Sequence, residues 1–311
     1  MKVFAWIVLA VVAMIILALI FYLVVGAIIF KFTFARKNKN VRASKKNVDK
    51  QIKKYGIDLC WWDKVKFEQV KIQNREKMTL SGRFFENKSG KTVILSHGYG
   101  GSYFEMQPYC KFFVEKNFNV LVVDNRAHGE SEGRCIGFGW YDRLDLLDWI
   151  DFVNQNLENQ KILLFGVSMG ATAVCCASSE NLPSNVVGII SDCAFANGEK
   201  QVRAVVKKQI KLGNILVRLF TSYLKRVYSF DMAMVDAIKQ VKNTKVPILY
   251  IHGSADDFVP VQNLYDLYNA TPEGFRDKYI VEDAGHALSY KSAGVMYEHK
   301  INTFLSRFTK I

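Results

Sequence analysis

Gly166-Val167-Ser168-Met169-Gly170 lies between the apolar run Lys161-Ile162-Leu163-Leu164-Phe165 and the small-residue run Ala171-Thr172-Ala173-Val174-Cys175-Cys176-Ala177. The first run reads as a buried parallel strand, the second as a helix packed closely on a sheet. Strand, tight turn and helix with Gly-x-Ser-x-Gly at the turn form a nucleophile elbow. The glycines are there because a Cβ at 166 or 170 would clash with the adjoining strand and helix, while the serine is held in strain. That strain lifts the Ser168 hydroxyl above the sheet edge. It also leaves the Met169 backbone N–H at a helix N-terminus, facing any oxyanion that forms there.

Outward from the elbow, strands and helices alternate. Val65 to Ile72 and Met78 to Phe85 read as a hairpin. Lys91 to Ser96 and Asn119 to Asp124 are further strands, with a helix from Tyr103 to Lys116 between them. Trp140 to Leu157 reads as an amphipathic helix with Leu144, Leu147, Trp149, Ile150 and Phe152 on its apolar side. Val186 to Ile190, Val246 to Ile251 and Lys278 to Val281 are the later strands, and a helix from about 293 to 308 ends the pattern. This alternation predicts an α/β protein with a doubly wound, mostly parallel sheet.

The alternation breaks at about 194–244. There Gln201 to Lys211, Asn214 to Tyr228 and Met232 to Val241 are helical in pattern and form a small helical cap. Lys200, Arg203, Lys207, Lys208, Lys211, Arg218, Lys225 and Arg226 make one face of it cationic. Such a face is either simply solvated or rests on a membrane surface. Its apolar residues, Val205, Ile210, Ile215, Leu216, Leu219 and Phe220, either line an acyl pocket or pack the cap onto the core.

Ser168 needs a base. Of the five histidines, His97 and His252 each precede a glycine at a strand end, His128 is in a tight turn, and His299 is in the last helix. His286, in Glu282-Asp283-Ala284-Gly285-His286-Ala287, follows the last strand at its carboxyl end, the edge where open α/β sheets gather their functional groups. An acid is needed to hold its tautomer. Asp256, in Ile251-His252-Gly253-Ser254-Ala255-Asp256-Asp257-Phe258-Val259-Pro260, is the choice; Asp257 is its neighbour and alternative, and Asp192 a more remote one. The turn His97-Gly98-Tyr99-Gly100 supplies a second oxyanion N–H, assigned to Tyr99, beside that of Met169.

Val3 to Phe30 is apolar and uncharged, long enough to cross a bilayer and far longer than the apolar region of a cleaved signal peptide. After it come Lys31, Arg36, Lys37, Lys39, Arg42, Lys45, Lys46, Lys50, Lys53 and Lys54; before it only Lys2. The excess of positive charge on the C-terminal side predicts a single span with the globular domain in the cytoplasm. The chain thus divides into a transmembrane helix (1–30), a basic juxtamembrane linker (31–54) and a catalytic domain (55–311). The 311 residues, half of them hydrophobic, allow one such domain. A net charge of +13 means nucleic acid, an anionic membrane surface or simple solubility; its clustering after the apolar run favours the membrane, and no nucleic-acid motif is present. Six cysteines show neither disulfide nor zinc spacing, which fits a reducing compartment, and no P-loop or metal cluster calls for a cofactor or metal.

From about Lys54 onward the chain resembles the α/β-hydrolase superfamily, and within it the membrane-anchored serine hydrolases found in many bacteria, which have eukaryotic relatives. The stretches that carry this are His97-Gly98-Tyr99-Gly100, Asp124-x-Arg126-x-His128-Gly129-x-Ser131, Gly166-x-Ser168-x-Gly170, His252-Gly253-x-x-Asp256-x-x-Val259-Pro260 and Gly285-His286, in the family's order. Ala127 departs from it, since many relatives have glycine there. The resemblance implies a cofactor-independent esterase, lipase or peptidase-like hydrolase without choosing among them. The rivals are an acyltransferase with the same triad and a catalytically silent membrane scaffold.

Overall fold

The computed structural model describes residues 2–36, 45–209 and 213–309. Residues Lys37, Lys39, Arg42, Ile210 and Lys211, which figured in the charge and cap arguments, lie outside them. The elements run as follows: α1 (Lys2–Thr33), α2 (Lys45–Tyr55), α3 (Leu59–Lys64), β1 (Glu68–Gln73), β2 (Thr79–Phe85), β3 (Lys91–Ser96), α4 (Gln107–Glu115), β4 (Asn119–Val123), α5 (Asp142–Asn156), β5 (Lys161–Val167), α6 (Met169–Ala177), β6 (Val186–Asp192), α7 (Gly198–Gln209), α8 (Gly213–Val227), α9 (Ala237–Val241), β7 (Ile248–Gly253), α10 (Gln262–Ala270), β8 (Arg276–Val281), α11 (Ser289–Ala293) and α12 (Val295–Phe304).

The eight strands form one sheet in the order β1-β2-β4-β3-β5-β6-β7-β8. β1 pairs antiparallel with β2, and β2 with β4; every later pairing is parallel. The alternation of side chains along each strand feeds two cores. Ile94, Leu164, Ile189 and Ile248 pack on one face with α5 and α6. Val93, Phe165, Ile190 and Leu249 pack on the other with Phe113 of α4 and Tyr297 and Phe304 of α12.

Four elements differ from the sequence reading. The buried stripe of α5 is Leu146, Trp149, Ile150 and Val153, at helical spacing, whereas Leu144, Leu147 and Phe152 are only half-buried. The final helix begins at Val295 and ends in a π turn at Leu305–Thr309, and the short α11, which the sequence reading did not assign, precedes it across Gly294 at φ +49°. The unassigned stretch between β7 and β8 contains α10. The basic segment after α1 is not linker throughout, because α2 begins at Lys45.

α1 is one helix of 32 residues, long and apolar enough to cross a membrane. Residues Lys2 to Phe21 are exposed all round, but from Tyr22 onward the helix packs on the cap. Gly26 lies so close to Tyr223 of α8 that a Cβ would stand 2.3 Å from the ring, and Phe30 stacks on Tyr228 at 3.8 Å between centroids. Of the cap's apolar residues, Phe220 is buried against Phe34 and Ile215 is exposed, so packing rather than an open pocket accounts for the first.

Candidate active site

The carboxyl ends of β3, β5, β7 and β8 converge on one edge. Ser168 follows β5 with φ +56° and ψ −112°, a backbone state that non-glycine residues hold only when their surroundings enforce it. The enforcement is visible. A Cβ on Gly166 would stand 2.2 Å from the carbonyl oxygen of Gly170, and one on Gly170 would stand 2.1 Å from that of Ser96. Strand and helix therefore touch backbone to backbone, and the Ser168 N–H donates to the Asp192 carbonyl at 2.8 Å. The Ser168 side chain does not cap α6, which leaves its hydroxyl to other partners.

That hydroxyl lies 2.9 Å from His286 Nε2. His286 Nδ1 lies 2.7 Å from Asp256 Oδ2. Asp256 Oδ1 accepts the N–H groups of Phe258 at 3.0 Å and Val259 at 2.8 Å. Burial pushes the Asp256 carboxyl up. The bonds from His252 and His286 and from the Val259 N–H outweigh it and hold the carboxyl well below the usual carboxylate range. Asp256 is thus an anion with both oxygens engaged, and it faces the imidazole nitrogen remote from Ser168. The structure brings Ser168, His286 and Asp256 together from three loops and leaves Asp257 exposed at the surface.

Asp192, the remote alternative, is fully buried and committed elsewhere. It accepts from the Ser289 hydroxyl at 2.9 Å and the Tyr297 hydroxyl at 2.9 Å. Burial pushes its carboxyl up to about 6 despite those bonds. His299 is exposed in α12, away from this edge.

The turn after β3 lies over the nucleophile: a Cβ on Gly98 would come within 3.3 Å of the Ser168 Cβ. Two buried histidines hold this turn. His97 Nδ1 donates to the Gly98 carbonyl at 2.7 Å, and Nε2 accepts the Asn125 N–H at 3.0 Å. Burial pulls His97 down to about 4, so the ring is neutral at neutral pH. His128 Nε2 accepts the Gly100 N–H at 3.0 Å, and its Nδ1 bonds the Arg126 carbonyl at 2.9 Å. Arg126 is itself anchored by Asp145 at 2.6 Å. The stretch Asp124 to Ser131 is therefore a buttress for the turn that carries Tyr99. Ala127 sits at φ +60° in this buttress, a conformation that glycine adopts without strain.

Two contacts were missed from sequence. His252 Nε2 donates to the Val259 carbonyl at 2.8 Å and also faces Asp256 Oδ2 at 3.3 Å. The shorter bond is the principal one; the longer adds a favourable dipole beside the carboxylate. The His252-Gly253 pair before Asp256 was the available signal. Phe258 packs on the His286 ring with centroids 4.9 Å apart, and only its place two residues beyond Asp256 hinted at that.

Cys193, Asp256 and His286 offer ligand atoms within 4.8 Å of one another, the one such group among the described residues. All six cysteines are free thiols, and burial raises the Cys193 thiol well above its ordinary range. A soft cation there would occupy His286 and Asp256 and compete with their contact to Ser168. Turnover is expected to be unchanged, or to rise slightly, when EDTA is added to the purified protein. A loss in EDTA that Zn²⁺ or another metal restores would contradict this.

The family model described as serine aminopeptidase, S33, matches residues 87–228. An uncharacterised 31.7 kDa Escherichia coli protein is 30% identical over 245 residues, covering 65% of this chain and 85% of that protein. Rat monoglyceride lipase is 27% identical over 252 residues, covering 69% of this chain and 82% of the lipase. The Pyrococcus furiosus esterase Pf2001 superposes with a TM-score of 0.66 at 25% identity, covering 79% of this chain and 93% of the esterase.

Proposed function

Since the chain belongs to the α/β-hydrolase superfamily, we propose that it is a membrane-anchored serine hydrolase that cleaves carboxylic esters through an acyl-enzyme on Ser168. The observation that carries this is the unbroken hydrogen-bond chain Ser168–His286–Asp256.

The chemistry follows from that chain. As Ser168 Oγ attacks the acyl carbon, His286 Nε2 takes the hydroxyl proton, and Asp256 stabilises the imidazolium that results. The carbonyl oxygen becomes an oxyanion between the backbone N–H groups of Met169 and Tyr99. Collapse breaks the ester C–O bond, and His286 passes its proton to the leaving alkoxide. Water then repeats the sequence: His286 removes its proton, hydroxide attacks the acyl carbon, and Ser168 is released with the acid. A fluorophosphonate probe tests the nucleophile directly. Labelling of wild type at one serine is expected, and a wild type that fails to label would remove the reading. The family model's description also raises cleavage of aminoacyl amides, which belong in the same substrate panel.

The proposed location is a single membrane span formed by α1, with the hydrolase domain in the cytoplasm, on the lopsided Lys and Arg count. Protease added to intact cells or spheroplasts is expected to leave the domain uncut until lysis; digestion without lysis would place it outside. Tethering raises the effective concentration of membrane acyl esters. Monoacylglycerols and other long-chain esters in vesicles are therefore expected to be better substrates than short, soluble esters. A clear preference for the short esters would overturn that choice of substrate but not the mechanism.

A further inference from the structure

The N-terminal helix does more than reach the domain. Lys2 to Phe21 is exposed on every side, and about 20 residues suffice to cross the roughly 30 Å hydrocarbon layer. The remaining turns, from Tyr22 to Thr33, are gripped by the cap. Tyr22 donates its hydroxyl to Ser222 at 3.2 Å, Gly26 lets Tyr223 approach the helix backbone, and Phe30 stacks on Tyr228. The helix end then packs beside the Tyr99 turn through Phe138. Phe34 packs on Phe138 at 5.1 Å between centroids, and its carbonyl accepts the Ile136 N–H at 2.8 Å. Phe138 in turn meets the Tyr99 ring edge-on at 6.4 Å and Phe195 at 4.8 Å.

The last four carbonyls of any helix lack intrahelical partners. In α1 the Thr33 carbonyl, at the helix terminus, accepts the hydroxyl of Tyr99. Tyr99 is the residue whose N–H is assigned to the oxyanion. We propose that the inner end of α1 is a positioning element of the acyl-transfer site: helix seating on the cap, relayed through Thr33 and Phe34, holds the Tyr99 turn at the geometry the oxyanion requires. The anchor is then part of the active site and not a loose tether. This rests on the serine-hydrolase reading above.

Three variants of the full-length protein in detergent micelles test it, with kcat and KM measured on a soluble p-nitrophenyl ester so that access to lipid plays no part. Gly26→Leu forces α1 off Tyr223, whose ring root sits too close to its own backbone to swing away. Losing one oxyanion donor costs about 10²–10³ in kcat, so partial displacement of Tyr99 is expected to lower kcat about ten-fold or more while KM stays within about two-fold. Leu17→Ala, on the exposed part of α1, is the control and is expected to match wild type. The third variant adds Ala35→Cys to Gly26→Leu. Ala35 faces the native Cys135 across an antiparallel bridge, and such pairs are roughly 4.5–5.5 Å apart at Cα, within disulfide range. Oxidation is expected to restore most of the lost kcat, and reduction to remove it again. Wild-type turnover in Gly26→Leu, or a loss that the closed disulfide does not recover, overturns the proposal. A wild type that neither labels with fluorophosphonate nor turns over esters would instead sink the hydrolase reading itself.

Discussion

Ser168→Ala is expected to abolish ester hydrolysis, with kcat falling about 10⁶-fold, and to leave the fold intact. The two halves of this expectation have separate causes. Activity goes because the hydroxyl is the proposed nucleophile, and among the described residues it is the serine hydroxyl hydrogen-bonded to His286. Stability stays because that hydroxyl caps nothing in α6, and alanine at φ +56° is no more strained than serine. The strain belongs to the Gly166–Gly170 contact, which the substitution does not touch. Unfolding is expected to shift by less than about 0.5 kcal/mol. Steady-state turnover and thermal unfolding of the same preparation check both halves. Undiminished turnover would remove Ser168 from the mechanism, and a collapsed fold would show that the hydroxyl has a structural partner.

The second large effect is expected from Asp256→Asn, with kcat down about 10⁴-fold. Asp256 Oδ1 takes two backbone N–H groups, from Phe258 and Val259. An asparagine keeps those bonds only by placing its carbonyl oxygen there, which turns its NH₂ toward His286 Nδ1. A donor then faces a nitrogen that must itself donate. The imidazole responds by moving its proton to Nε2, where it confronts the Ser168 hydroxyl and can no longer accept a proton from it. His286→Ala removes the base altogether and is expected to fall at least as far. Asp257→Asn, at the exposed neighbouring position, is expected to stay within about ten-fold of wild type. A dead Asp257→Asn beside an active Asp256→Asn would reverse the assignment of the acid.

Much of this was legible in the chain because it is locally encoded. The strand-turn-helix around Ser168 shows in seven residues of apolar pattern and two glycines whose Cβ atoms have no room. Strand identity is equally local: Lys91 to Ser96 is buried along most of its length around the β-branched and apolar run Thr92-Val93-Ile94-Leu95. The short α11 and the true stripe of α5 were harder. α11 is five residues long and carries little periodicity, and the stripe of α5 depends on which of several apolar residues the sheet covers.

What the sequence by itself determined, then, is the alternation of strands and helices, the elbow, the apolar N-terminal helix and a short roster of residues able to do acyl chemistry. It put Asp256 forward as the acid, with Asp257 as the neighbouring alternative and Asp192 as a more remote one. The tertiary structure gave each its surroundings: Asp192 meets Ser289 and Tyr297, Asp257 lies at the surface, and Asp256 meets His286. It alone also turned the Asp124–Ser131 stretch into a buttress for the Tyr99 turn and laid Thr33 and Phe34 of the N-terminal helix against that turn. The physical reason is the same in each case. Ser168 and His286 are 118 positions apart, and Thr33 and Tyr99 are 66. Contacts over such separations are set by strand order and by which surfaces must be buried together, and no short stretch of sequence records either.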